Sequence, residues 1–307
     1  MRLVILLVGA ALSLPAATHY VTVAGLGGEP DYEQRFTNWA QTIGQVLRAS
    51  RTDAKADTLV GKEASRERLR AVLDQAAQDC GPGDAFVLTL IGHGTFDGYE
   101  YKFNLPGPDI TASELAGLLS RVRAERQLVV VMTSASGGAL ETLRKENRVL
   151  IVATKSGTEK NATVFARYWA EALRDPSADT DKNEAITALE AFRYASKKTA
   201  AFYDSQKRLA TEHPLLEDTG KGEGARDPSP EQGEGRLAAA FTLLRFGAAQ
   251  AAAKDPVKRK LLAAQEDLEQ RIDLLKYQKA AMPEADYKKQ LAALLLELAR
   301  TQEELDK

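Results

Sequence analysis

Short apolar runs alternate along the chain with longer segments in which apolar residues recur every three or four positions. Tyr20–Ala24, Thr58–Val60, Ala85–Ile91, Gln127–Met132 and Val149–Ala153 are predicted strands. The runs at 85–91, 127–132 and 149–153 are almost unbroken, as expected of strands covered on both faces. Between the strands, Tyr32–Leu47 places Phe36, Trp39, Ile43 and Leu47 at helical steps. Ser65 stands as the N-cap of a helix reaching about Asp79, with Leu69, Val72 and Leu73 inward. Helices are also predicted over 113–122, 160–174 and 184–205, and a last strand over 237–244. Alternation at this spacing predicts an α/β domain: a mainly parallel sheet with helices on both faces.

Three regions depart from that alternation. Residues 217–235 collect Gly220, Gly222, Gly224, Gly233 and Gly235 with Pro228, Pro230 and many charges, which predicts an exposed loop. After Ala248 the chain turns to Ala, Leu, Lys, Glu and Gln. Val257, Leu261, Leu268, Ile272 and Leu275 form one stripe, Pro283 punctuates, and Tyr287, Leu291, Leu294, Leu298 and Leu305 form a second. Residues 248–307 are therefore expected to be a helical hairpin or short coiled coil. It either packs back on the main domain or offers a surface for a partner or for self-association. At the other end, Met1-Arg2 precedes an uncharged apolar stretch, Leu3–Leu14, that closes at Pro15-Ala16-Ala17. That stretch is too short for a membrane span and reads as an export signal over 1–17. The expected setting is periplasmic or secreted, and the main domain then spans 18–247.

Composition narrows the chemistry. Lys and Arg number 41 against 43 Asp and Glu, a net charge of −2, so no basic excess points to nucleic acid. The single cysteine, Cys80, excludes an internal disulfide and a cysteine metal framework. Cys80 also lies at the amino end of its strand and reads as an idle thiol. Histidine chemistry must use His19, His93 or His213. His19 borders the export signal and His213 has no partners at ligand spacing, which leaves His93.

In open α/β sheets, sites form at the carboxyl ends of strands. Two predicted strands end in unusual sequences. One closes Ile91-Gly92-His93-Gly94, where glycines allow close backbone approach and leave the Gly94 N–H available as a donor. The other closes Thr133-Ser134-Ala135-Ser136-Gly137-Gly138 and runs into a helix near Ala139. A hydroxyl and backbone donors at such a turn, beside a histidine on another strand tip, make a candidate nucleophilic pair.

These motifs resemble those of the caspase and legumain cysteine peptidases, in which a strand ends in His-Gly and, about forty residues on, another ends in Cys-x-Ser-Gly. Ser134-Ala135-Ser136-Gly137-Gly138 matches the second motif except at the cysteine. The order and strand context agree over residues 19–245. Gly94–Asp109 and Leu189–Ala195 look like a bacterial exported branch of legumain-like proteins. The resemblance implies a three-layer α-β-α fold with a six-stranded core. It also implies a peptide or protein substrate, His93 as the catalytic histidine, Ser134 in the nucleophile position, and the N–H groups of Gly94 and Ser134 around an oxyanion. Serine alters that chemistry, because a thiol is intrinsically nucleophilic and a hydroxyl needs a well-placed base. Three readings stay open: a peptidase-fold binding module that no longer cuts, a hydrolase using Ser134 with His93 as base, and a cysteine enzyme whose nucleophile was replaced by engineering.

A second constellation, Asp179-Thr-Asp181-Lys-Asn183-Glu-Ala185-Ile-Thr187-Ala-Leu-Glu190, has the spacing of an EF-hand calcium loop. Its ligands would come from Asp179, Asp181, Asn183, Ala185, Thr187 and Glu190. Glu184 stands where that loop wants glycine. The other reading is an acidic N-cap for the next helix. Ca²⁺ is the cofactor on the first of these two readings, and no organic cofactor is expected.

Overall fold

A computed structural model of the chain describes residues 17–50, 54–279 and 282–307. The predicted export signal, apart from Ala17, lies outside the described residues. In chain order come β1 (Thr18–Ala24), α1 (Pro30–Ser50), β2 (Ala54–Leu59), α2 (Arg66–Asp79), β3 (Ala85–Gly92), β4 (Gly94–Phe96), β5 (Tyr101–Phe103) and β6 (Ile110–Thr111). Next are α3 (Ala112–Ser120), β7 (Arg126–Thr133), α4 (Leu140–Leu143), β8 (Arg148–Val152), α5 (Phe165–Ala172), β9 (Ala185–Thr187) and α6 (Ala188–Ser205). The chain closes with β10 (Leu215–Glu217), α7 (Arg236–Ala239), β11 (Thr242–Arg245), α8 (Gly247–Lys254), α9 (Pro256–Gln278) and α10 (Glu284–Leu305).

Six strands form the central sheet in the order β10-β8-β7-β3-β1-β2, all pairs parallel except β10 with β8. Alternate side chains of each inner strand serve opposite faces. Val87 and Ile91 of β3 join Phe36, Ile43 and Leu47 of α1, Phe165 and Trp169 of α5 and Phe192 of α6. Phe86, Leu88 and Leu90 join Leu69 and Leu73 of α2 and Leu115 and Leu119 of α3 on the other side. The result is the expected α-β-α sandwich with a mainly parallel sheet. Caps fix the helix starts: Ser65 accepts from the Arg68 N–H, and Thr187 and Glu190 form a reciprocal capping box on α6.

Three details differ from the sequence expectation. The run at 237–244 is not one strand: 236–239 is a helical turn, and only β11 is extended, pairing with β9 outside the main sheet. The sixth strand is instead β10, three residues long and too short to show a period. The glycine-rich loop is anchored rather than wholly exposed. Glu217 and Asp218 are buried, and Asp218 accepts from the N–H groups of Gly235 (2.8 Å) and Ala238 (3.2 Å), which winds 236–239 into its turn. From Gly247 onward the described residues form three helices. α9 and α10 pack through Leu268, Ile272, Leu275 and Leu294 as the predicted hairpin, while α8 docks on the main domain through its Ala249 N–H to Glu184 (2.8 Å).

Candidate active site

β3 and β7 are neighbours in register, Gly92 opposite Thr133, so His93 and Ser134 leave the sheet side by side at its carboxyl edge. After His93 the chain forms the small antiparallel sheet β4-β5-β6. Gly94 lies so close to the second tip that an added Cβ would sit 2.5 Å from the Tyr101 ring and 2.7 Å from the Ser134 carbonyl oxygen. Ser134 and Gly94 are tied twice. The Gly94 N–H donates to Ser134 Oγ (3.1 Å), and the Ser134 hydroxyl donates to the Gly94 carbonyl (3.1 Å). Ser134 is buried, and Thr133 Oγ1 donates to its carbonyl at 2.9 Å while meeting the Tyr101 hydroxyl at 2.6 Å.

His93 is half-buried, with its ring edge-on to Tyr32 (centroids 5.0 Å apart) and Phe36 (5.1 Å). Burial among these rings lowers its pKa, against the opposing pull of a hydrogen bond to the Gly27 backbone and the charge of Glu29. The imidazole is therefore neutral at pH 7, the state a general base requires. No hydrogen bond joins it to Ser134 among the described residues. Asp97, the acid nearest to His93 on the C-terminal side in sequence, instead accepts from the Tyr99 and Glu100 N–H groups within the β4–β5 turn.

The Ser134 turn is braced from the neighbouring strand tip. Ala135 adopts φ 56°, and its N–H donates to the Glu159 carbonyl (2.7 Å). The Glu159 carboxylate holds His213 Nδ1 and accepts from the Lys155 N–H (2.9 Å). Ser136 Oγ accepts from the Thr154 N–H (3.1 Å), and Thr154 Oγ1 accepts from the Gly137 N–H (2.9 Å). The Phe96 ring lies against both Gly138 and Gly157, so β4 is clamped to both tips through two positions without side chains. None of these supports is visible in the sequence. His213 and Glu159 are 54 residues apart and carry no local signal. The other two special residues are structural: His19 is buried beside Asp84, and burial pushes the Cys80 thiol up to about 11.

The acidic loop brings together only part of the predicted ligand set. One carboxylate oxygen from each of Asp179, Asp181 and Glu190 lies within 4.8 Å of the others. Glu184 takes φ 60°, the backbone conformation for which that loop position wants glycine. Desolvation of the Asp181 carboxylate, then the charge of Glu190, push its pKa up to about 6. Three carboxylates this close are oxygen donors of the kind a hard cation takes. Asp179 accepts from the Asn183 and Glu184 N–H groups. Glu190 accepts from the N–H and the hydroxyl of both Thr180 and Thr187. Asn183 hydrogen-bonds to Asp181 and to the Ala185 N–H rather than facing the cluster alone.

Neither a family model nor a curated protein matches the chain. Among solved structures, the Drosophila initiator caspase Dronc is similar at 9% identity, with 68% of this chain and 81% of that chain covered and a TM-score of 0.44.

Proposed function

We propose that this chain is an exported caspase/legumain-type protein that binds peptide or protein segments at the His93/Ser134 cleft without hydrolysing them. The double tie between Ser134 and Gly94 carries the reading. The hydroxyl proton that a base would remove is given to a backbone carbonyl, and the N–H that would stabilise an oxyanion is spent on the hydroxyl itself. The other reading, an active hydrolase with Ser134 as nucleophile, draws support from the neutral His93 nearby, since catalytic hydrogen bonds often tighten only when substrate binds. Single-turnover assays of the wild type and Ser134→Ala against a peptide mixture separate the two. Binding without cleavage by both proteins is expected. Cleavage by the wild type that disappears in Ser134→Ala would transfer the assignment to the serine hydrolase.

Ca²⁺ at the 179–190 loop would act as a structural ion, drawing the three carboxylates together and bracing β9 where it pairs with β11. Such an ion binds the folded state alone and raises its melting temperature by mass action. Millimolar Ca²⁺ should therefore raise Tm by a few degrees, about 1 kcal/mol or more of stabilisation. Glu190→Gln should remove most of that increment. An unchanged Tm in scanning calorimetry would leave Glu190 with its capping role only. The export signal and the C-terminal hairpin as a partner or self-association surface complete the proposal.

A further inference from the structure

A groove between α1, α5 and the segment after α6 shares Tyr32 with the surroundings of His93. Its volume is about 700 Å³, and Tyr32, Trp39, Arg35, Arg167, Arg208 and Tyr203 contribute to its wall. Tyr32 belongs to both regions, since its ring also stands edge-on to His93. The groove's lining holds three arginines, and no aspartate or glutamate lines it. Arg35 is already paired with Asp31 at 2.6 Å. Arg167 and Arg208 are exposed and make no ion pair among the described residues; the Arg167 guanidinium stacks over the Tyr168 ring. Glu212, outside the lining but bonded to the Val164 N–H (2.7 Å) at the start of α5, is buried. Burial pushes it up to about 7, so it carries only part of a negative charge at neutral pH.

Resting on the peptide-binding reading above, we infer that this groove docks an acidic peptide segment of a partner protein, with aromatic residues seated between the carboxylates. Arginine guanidinium groups take carboxylates as paired, charge-assisted hydrogen bonds, and the half-buried rings of Tyr32 and Trp39 take apolar side chains between them. A basic segment would meet like charge at Arg167 and Arg208, and a neutral one would add no carboxylate to Glu171, the acid one turn along α5 whose charge Arg167 already feels. The groove is lined from α1, α5, α6 and their flanking segments, with neither His93 nor Ser134 in its wall, so it sets which segment is held rather than where a bond would be cut.

The test uses the full chain and two acetylated, amidated peptides: one alternating Glu with Phe, the other with Gln in place of each Glu. Trp39 lines the groove while Trp169 is buried in the core, so the change in tryptophan emission reports docking. The Glu peptide should bind about tenfold tighter or more, at the strength of one or two charge-assisted contacts, and that preference should fall with added salt. Arg167→Glu combined with Arg208→Glu should abolish the preference while leaving a cooperatively melting fold, because both side chains are exposed and only the Arg167–Tyr168 stack and the attraction to Glu171 are lost. Equal binding of the two peptides, indifferent to those substitutions, overturns the acidic groove and leaves the peptide-binding reading standing. Binding of neither peptide overturns both. A single-stranded oligonucleotide that binds more tightly than the Glu peptide overturns the peptide assignment in favour of a nucleic acid.

Discussion

Ser134→Cys should give this chain a peptidase activity that His93→Ala then abolishes. Sulfur is larger than oxygen and a weaker hydrogen-bond partner, so the thiol should not keep the double tie that Ser134 makes with Gly94. Loss of that tie frees the Gly94 N–H to meet an oxyanion and turns the nucleophile toward the imidazole. His93 is held neutral by its burial beside Tyr32 and Phe36, so it can take the thiol proton. An oxyanion donor alone contributes about a hundredfold or more in rate, and a thiolate adds intrinsic nucleophilicity. The gain should therefore stand clear of a wild-type baseline indistinguishable from buffer. Mass spectrometry of peptide products, with Ser134→Cys and the Ser134→Cys/His93→Ala pair run side by side, reads the result. Cleavage that persists without His93 would place the chemistry elsewhere. A silent cysteine variant that still binds peptide would mean that the cleft positions its ligand out of reach of residue 134.

Most of the framework for that experiment is legible in the sequence. The Val-, Leu- and Ile-rich runs at 85–91, 127–132 and 149–153 form the three central strands because a residue series apolar at every position can be satisfied only between two covered faces. Their carboxyl ends carry the His-Gly and Ser-Ala-Ser-Gly-Gly sequences, and parallel register alone then brings residues 93 and 134 together. The features hidden from the sequence depend on contacts between distant residues. β10 is three residues of antiparallel edge, shorter than any usable period. The 236–239 turn forms because Asp218, far upstream, supplies the acceptor at its start, and no local propensity encodes that. The hydroxyl of Ser134 can be placed at a strand tip from sequence. Its choice of the Gly94 backbone over the His93 ring cannot, because both partners lie within the same two-residue segment. Glu184 at φ 60° is the converse case: a residue whose identity speaks against the loop nevertheless adopts the glycine-type conformation that the loop requires.

Gly137→Ala should be the most damaging alanine substitution among the glycines of the site. The turn after β7 and the turn after β8 touch there through their backbones. A Cβ on residue 137 would lie 2.3 Å from the Ser156 nitrogen, 2.5 Å from the Lys155 carbonyl carbon and 2.6 Å from the Ser156 Cα. None of these atoms can rotate aside. Both turns are also fixed, one by the Ala135 N–H on the Glu159 carbonyl and the other by the Ser136–Thr154 exchange. Overpacking of this kind costs about 1–3 kcal/mol, and the absence of a movable neighbour puts Gly137 at the upper end. For a domain of this size, that is a fall in Tm of about 2–4 °C per kcal/mol. Gly138→Ala is the natural control, since its Cβ would meet the Phe96 ring at 2.6 Å, and a half-buried ring, even one packed between two glycines, yields more than a fixed backbone. Thermal melts should rank wild type above Gly138→Ala and Gly138→Ala above Gly137→Ala. Peptide affinity should fall in the same order, because pushing the two turns apart moves Ser134 away from Gly94. A Gly137→Ala protein that melts with the wild type would show that the strand tips are not held at this separation, and the closed Ser134–Gly94 pair would lose its main structural support.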